Sequence, residues 1–364
     1  MKSVVLVPYC PLPADTGGKR EMWKSLEILK ALGECCIVSA AAKPVGCGWT
    51  SEARVEIEKL GYSITLREES CRMSAVQFLS IGYAAICKAL GLEKAFGHSN
   101  PYHRNAFPVE WWRKCTEGAD LAVINYSYYV WLPCECPKVV VLHDLLSDSM
   151  WEGLRKEIED LQTADLVVVI SKDEEKKLHD WEIKKTLWSP PAIAQAELPL
   201  GDSIGCVGSG NRFNVEGLKW VQDSLKGVKV KVYGDLAERV SHPDFEKMGR
   251  YTDKFQPYRD CGIIILPTAG GTGVQIKAIE SLACGRAIVA RKGAMRGIPP
   301  GDGAWIEVDS AEEMVDIAKR LQKDVDERAR QAAMARAYYD KHLDSEMIVN
   351  QLSAVYRAVA EKRK

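Results

Sequence analysis

The residues best placed for chemistry lie in Ile263-Ile264-Ile265-Leu266-Pro267-Thr268-Ala269-Gly270-Gly271-Thr272-Gly273 and in the helical pattern Val274–Cys284 behind it. An apolar run, three glycines within four residues and a helix start let backbone N–H groups converge on an anion. Glycine permits the close approach, and the helix N-terminus adds about 0.3–1 kcal/mol of favourable dipole. At about 100° per residue, Val274, Ile276, Ala278, Ile279, Leu282 and Ala283 cover an arc of about 200°, which leaves Lys277, Glu280 and Ser281 on the remainder. Glu280 stands seven residues beyond Gly273, roughly 10 Å along the axis at a rise of about 1.5 Å per residue. That is close to the distance from a diphosphate to a ribose, whose two hydroxyls could donate to the carboxylate. The alternative is an ordinary exposed Lys277–Glu280 pair at i,i+3, worth about 0.2–0.5 kcal/mol.

Ligands of parallel sheets bind beyond the carboxyl ends of the strands, so three more loops matter. Pro11 to Arg20 carries Gly17-Gly18 at a helix start, which is either a compact backbone anion site or a turn that glycine allows. It is not the G-x-G-x-x-G of a dinucleotide fold. Val141-Leu142-His143-Asp144 places a histidine where an apolar run ends, either as a structural residue or as a cleft residue. Val207 to Asn214 offers Arg212 as a charged phosphate partner, and Asn214 as a cap on a helix over Val215–Leu225.

These loops need strands and helices to hold them. Short apolar runs alternate with helical patterns, the sign of parallel α/β architecture. In the first half the runs are Ser3–Val7, Cys35–Ala40, Ser63–Leu66, Leu121–Asn125, Val139–Leu142 and Leu166–Ile170. Ser189-Pro190-Pro191 and the weakly patterned stretch behind it read as a linker. A second series follows at Ile204–Val207, Val228–Tyr233, Gly262–Leu266, Ala287–Ala290 and Trp305–Val308. The expectation is two doubly wound, Rossmann-like domains facing across a cleft, over 1–190 and 200–340. A C-terminal helix in 341–364 is expected to return to the first domain.

Composition narrows the class. With 49 basic and 50 acidic residues the formal net charge is −1, so a nucleic-acid partner is not favoured. The 12 cysteines contain no C-x-x-C, which points to reduced thiols in a cytoplasmic protein rather than to a metal or disulfide framework. Asp324-Val325-Asp326 is the only D-x-D, within a charged helical region, and no metal site is expected. Met73–Leu92 is apolar but interrupted by Ser74, Gln77, Ser80 and Lys88, short of the roughly 20 apolar residues that a spanning helix needs. With Tyr102-His103-Arg104, Trp111-Trp112-Arg113 and Tyr126–Trp131 it suits a sugar-stacking surface, a peripheral helix at the inner membrane face, or plain core packing.

The run Gly271-Thr272-Gly273-Val274-Gln275-Ile276-Lys277-Ala278-Ile279-Glu280, continued by Gly285-Arg286-Ala287-Ile288-Val289 and Arg296-Gly297-Ile298, resembles the signature of retaining GT-B glycosyltransferases of the GT4 type. The resemblance implies a metal-independent enzyme with no cofactor. It would move a sugar from a UDP- or GDP-linked donor to a glycan, lipid-linked or small-molecule acceptor. Gly271, Thr272, Gly273, Val274, Lys277 and Glu280 would hold the donor, with Gly17 and Gly18 facing its diphosphate and Arg212 supplying charge. His143 would assist at the sugar, with Asp144 orienting the ring or its loop. The sequence departs from the pattern at Thr272, where many relatives carry a Glu, at Phe213, where a Lys is usual, and at Arg286-Ala287. A nucleotide-sugar 2-epimerase or a non-catalytic sugar-nucleotide binder on the same fold are the alternatives.

Overall fold

The structure, a computed structural model, describes residues 1–362 apart from 15, 42–47, 69, 72–74, 77, 80–81, 84–85, 87–89, 91–105, 146–153 and 272. The chain divides into two units, Met1–Ser189 with Val349–Lys364, and Pro190–Ile348.

The first unit runs β1 (Lys2–Leu6), α1 (Gly17–Leu32), β2 (Glu34–Ala40), α2 (Ser51–Lys59), β3 (Ser63–Arg67), α3 (Val109–Thr116), β4 (Leu121–Asn125), β5 (Lys138–Leu142), α4 (Leu154–Leu161), β6 (Leu166–Val169), α5 (Lys172–Asp180) and β7 (Thr186–Trp188). Its seven strands are all parallel in the order β3-β2-β1-β4-β5-β6-β7. Central strands such as Val139-Val140-Val141-Leu142 are buried at every position, which requires helices on both faces of the sheet.

The second unit runs β8 (Ile204–Val207), α6 (Arg212–Gln222), β9 (Val230–Tyr233), α7 (Leu236–Arg239), β10 (Phe245–Gly249), α8 (Gln256–Asp260), β11 (Ile263–Leu266), α9 (Ile276–Ala283), β12 (Ala287–Arg291), β13 (Ile306–Val308), α10 (Ala311–Lys323) and α11 (Val325–His342). Its six strands are parallel in the order β10-β9-β8-β11-β12-β13. Both sheets are therefore doubly wound, and their order reverses between β1 and β4 and between β8 and β11. Loops that leave β1, β4, β8 and β11 flank the crevices where such sheets bind ligands.

The last helix, α12 (Ser345–Glu361), buries Leu352, Tyr356, Val359 and Ala360 in the first unit's core. Residues 190–203 form neither helix nor strand. Arg286, almost fully buried, clamps this stretch with bonds to the carbonyls of Leu198 (3.0 Å) and Pro199 (2.8 Å), and it also binds Tyr258 O (3.0 Å) and Cys284 O (2.8 Å). Arg286 thus ties the linker to the sheet.

Two strands lie outside the sequence expectation, β7 and β10. They are sheet edges, and β10 follows its only buried apolar residue, Phe245, with the exposed Glu246 and Lys247, a polar composition that guards an edge. The helix expected from Val274 begins at Ile276, because Gly273 at φ 63° keeps the loop open to that point. Asn211, not Asn214, caps the next helix expected from sequence: its Oδ1 accepts from the Asn214 amide at 2.9 Å, and the helix starts at Arg212.

Candidate functional site

The β8 and β11 loops meet through α6. A Cβ on Gly217 would stand 2.9 Å from both the Pro267 carbonyl oxygen and Thr268 Cα, so only glycine lets this helix lie against the loop. The approach brings Asn214 of α6 to Thr268 (Oγ1 to Oδ1, 3.1 Å) and to Lys277 of α9 (Nζ to Oδ1, 2.6 Å). Lys277 also donates to Thr268 Oγ1 at 3.2 Å. Both partners are neutral, and among the described residues no carboxylate pairs with the ammonium. Burial lowers its pKa to about 8; the Cys206 thiol opposes that shift, and Arg296 adds to it.

The arc of α9 read as polar is largely interior: Lys277 and Ser281 are buried, and Ser281 returns its hydroxyl to Lys277 O at 2.6 Å. Lys277 and Glu280 do not form the exposed pair weighed above. Glu280, partly exposed, accepts instead from the Tyr258 hydroxyl at 2.7 Å. Tyr258 is completely buried, and burial followed by the neighbouring carboxylate holds its phenol well above the ordinary value.

Gly271 (φ 113°) and Gly273 (φ 63°) both use left-handed backbone. Val274 lies in the loop before the helix, and Thr272 lies outside the described residues. A Cβ on Gly270 would meet Phe213 at 2.8 Å, and one on Gly271 would meet Arg296 Nη2 at 2.7 Å. Phe213 therefore roofs the glycines, while the Arg296 guanidinium borders them and bonds Ala269 O (3.4 Å) and Gly293 O (3.2 Å). Arg212 is the cation expected here, but it is exposed and pairs along its own helix with Glu216 at 2.6 Å. The geometry brings Gly271, Lys277 and Arg296 into one neighbourhood and leaves Arg212 turned to solvent.

In the first unit, Thr16 caps α1 and Gly17-Gly18 form its first turn. A Cβ on Gly18 would stand 2.7 Å from the Tyr126 hydroxyl, 3.0 Å from the Tyr9 hydroxyl and 3.7 Å from His143 Nδ1. His143 is buried, with Nε2 at 3.1 Å from Asn125 Oδ1, and Asn125 in turn donates to Leu6 O at 3.1 Å. Burial, with Lys24 second, depresses the imidazole to about 3, so it is neutral at physiological pH. Asn125 therefore holds the ring. Asp144 lies close enough to Tyr9, Tyr126 and Tyr128 to raise all three phenols behind the larger effect of burial.

Tyr126 follows β4 with φ 68°, a conformation costing about 1–3 kcal/mol for a non-glycine residue. No spacing in the sequence announces it. Of the aromatic and apolar stretches singled out above, Trp112 and Tyr129 are core residues. Phe78, Leu79, Tyr83, Ile86 and Leu90 are exposed, and Tyr102-His103-Arg104 lie outside the described residues. Among the described residues no helix is long and apolar enough to cross a membrane, and no three His, Cys, Asp or Glu gather as a metal site.

Two parallel, doubly wound domains match the structures of GT-B glycosyltransferases, and GT-B is the fold of this chain. HepE of Anabaena, in complex with UDP, is 13% identical, superposes with a TM-score of 0.67 and covers 98% of this chain and 100% of its own. Sucrose-phosphate synthase of Thermosynechococcus elongatus is 16% identical, with a TM-score of 0.69 and 99% of each chain covered. TarM of S. aureus, in a complex that includes UDP and alpha-GlcNAc-glycerol, is 11% identical, with a TM-score of 0.67 over 98% of this chain and 100% of that one. In sequence, residues 201–324 match the family described as "Glycosyl transferases group 1", which takes in β8 to α10 and the whole glycine-loop neighbourhood. No curated protein matches the chain.

Proposed function

We propose that the chain is a metal-independent, retaining glycosyltransferase, with a nucleoside-diphosphate sugar as donor and a sugar, lipid-linked or small-molecule hydroxyl as acceptor. The donor lies on the second unit. Glu280 accepts from the ribose hydroxyls, and the amides of Gly271, Gly273 and Val274 face the diphosphate. Lys277 and Arg296 neutralise the phosphates as the sugar leaves, a task that the family resemblance implied for Arg212. Charge-assisted contacts of this kind are about twice as strong as neutral ones. They take the place that a divalent ion fills where phosphate is held by acidic side chains. No cofactor beyond the donor is required. In a retaining displacement the acceptor attacks from the leaving-group side, so the departing phosphate can take the acceptor proton and no protein base is obligatory.

The observation that carries this reading is Glu280 fixed by a buried tyrosine, two turns from the glycine loop, with the Lys277 ammonium bonded to the neutral Asn214 between them. The family match over 201–324 supports sugar transfer, as do the UDP and UDP-glucose complexes of the structurally similar HepE. UDP or GDP is the proposed carrier, the cytoplasm the proposed place of action, and the exposed apolar residues near Phe78 the proposed route to a peripheral membrane contact. The test is hydrolysis and transfer over a panel of UDP-, GDP-, ADP- and dTDP-sugars, with product stereochemistry read by NMR. Turnover that is indifferent to Glu280→Ala would refute the assignment.

A further inference from the structure

Tyr126 spends a left-handed backbone conformation at the point where the first sheet reverses its strand order, between β1 and β4. Strain of this kind persists where the surroundings over-determine it, and such positions cluster at ligand sites. The surroundings here are aromatic. The Tyr126 ring stacks on His143 with centroids 4.0 Å apart and planes 13° apart, and on Tyr128 at 5.8 Å and 29°. Its hydroxyl meets the Tyr9 hydroxyl at 2.5 Å. The ring is thus committed to neighbours, and the polar atoms nearest Gly18 in the first turn of α1 are the two hydroxyls.

His143 is held mainly by protein groups. It is 4% exposed, Tyr126 covers it, Asn125 takes Nε2, and Nδ1 is directed at Gly18. The two phenols have two O–H groups between them and use one for their mutual bond, which leaves one proton to donate and lone pairs to accept. Burial keeps both phenols protonated, and the nearby Asp144 carboxylate adds to that effect. A pair that donates and accepts beside a carboxylate suits a polyol and repels an anion.

We infer that the hydroxyl pair Tyr9–Tyr126 is the ligand-contacting group of the first unit, that it hydrogen-bonds a neutral sugar hydroxyl above Gly18, and that His143 is a positioning residue acting through the Tyr126 ring. The inference rests on the sugar-transfer reading.

The experiment compares Tyr126→Phe, Tyr9→Phe, His143→Phe and the doubles Tyr9→Phe/Tyr126→Phe and Tyr126→Phe/His143→Phe. Nucleoside diphosphate release from UDP-glucose, UDP-GlcNAc and GDP-mannose gives kcat and KM, and UDP and GDP titrations give Kd. Tyr126→Phe keeps ring, stack and backbone, and it is expected to lower kcat at least tenfold while the diphosphate Kd stays within twofold. The two doubles are expected to lose no more than Tyr126→Phe alone, because every member acts through the one hydroxyl pair, which Tyr126→Phe already breaks. Unchanged kcat in Tyr126→Phe, or a loss in His143→Phe that multiplies with that of Tyr126→Phe, overturns the inference. Where His143→Phe does not fold, the tyrosine double decides: multiplying losses overturn a shared role. Wild-type turnover with an unaffected Tyr126→Phe sinks this inference alone, whereas a wild type inert on every donor sinks it together with the sugar-transfer reading.

Discussion

The Tyr258 hydroxyl donates to Glu280 Oε2 at 2.7 Å from a fully buried position, and the Tyr258 backbone carbonyl is itself held by Arg286 at 3.0 Å. Two residues 28 positions apart, Tyr258 and Arg286, form one support for a partly exposed carboxylate. Glu280→Gln is expected to weaken nucleoside diphosphate binding about 10–100-fold, the range for a hydrogen bond to a charged group. Tyr258→Phe, which removes only the orienting bond, is expected to cost less. Isothermal titration with UDP and GDP measures both, and a larger loss from the tyrosine change would mean that Glu280 does not contact the ligand.

Arg296 and Arg212 separate two views of the phosphate site. Arg296→Gln is expected to weaken diphosphate binding about tenfold or more and to flatten its salt dependence, since a charged contact is lost. Arg212→Gln removes only an exposed i,i+4 pair and is expected to change Kd less than twofold. Titrations at two ionic strengths read the difference, and the reverse ranking would return the role to Arg212.

Lys277 gives a pH signature. Its pKa in the folded, ligand-free protein lies near 8, below the ordinary 10.5. The unfolded chain therefore binds the proton more tightly between those values, and stability is expected to rise with pH across that window as the buried charge is relieved. Affinity for an anion runs the other way: it is expected to hold below pH 8 and to fall as pH rises through 8. Diphosphate Kd measured from pH 6.5 to 9.5 checks the sign, and Lys277→Gln should remove the dependence.

Gly217 sets the distance between α6 and the β11 loop. Gly217→Ala puts a methyl 2.9 Å from backbone on the other side, an overpacking expected to cost about 1–3 kcal/mol. Thermal unfolding reads the loss, and an unchanged melting temperature would show that the two segments separate freely.

The fold was legible because its strands are continuous apolar runs: Leu121–Asn125 and Ile204–Val207 were expected at the bounds the structure has. The edge strands were not, since Thr186–Trp188 is three residues long and Phe245–Gly249 carries its charge outward. In the site, glycine spacing and the Glu280 interval were readable from local chain geometry. Tyr258 was not, and Asn214 and Arg296 were noted only as a helix cap and as part of the signature, because each reaches α9 or the glycine loop from another segment of the chain, and such meetings depend on topology rather than on spacing. Arg212 shows what spacing along the chain leaves open. Its position after β8 suggested a phosphate partner, but the nearest opposite charge, Glu216 one turn along the same helix, claims it.

The partners of Lys277 also bear on how such a protein can change over generations. Asn214 meets the ammonium with an amide oxygen at 2.6 Å, and a single-base change to aspartate would replace that dipole with a full negative charge at the same spot. The lysine would then be neutralised from within, and under the proposed reading the preference for an anion would be lost without any change in shape. Position 214 is thus an inherited dial on what the second domain admits.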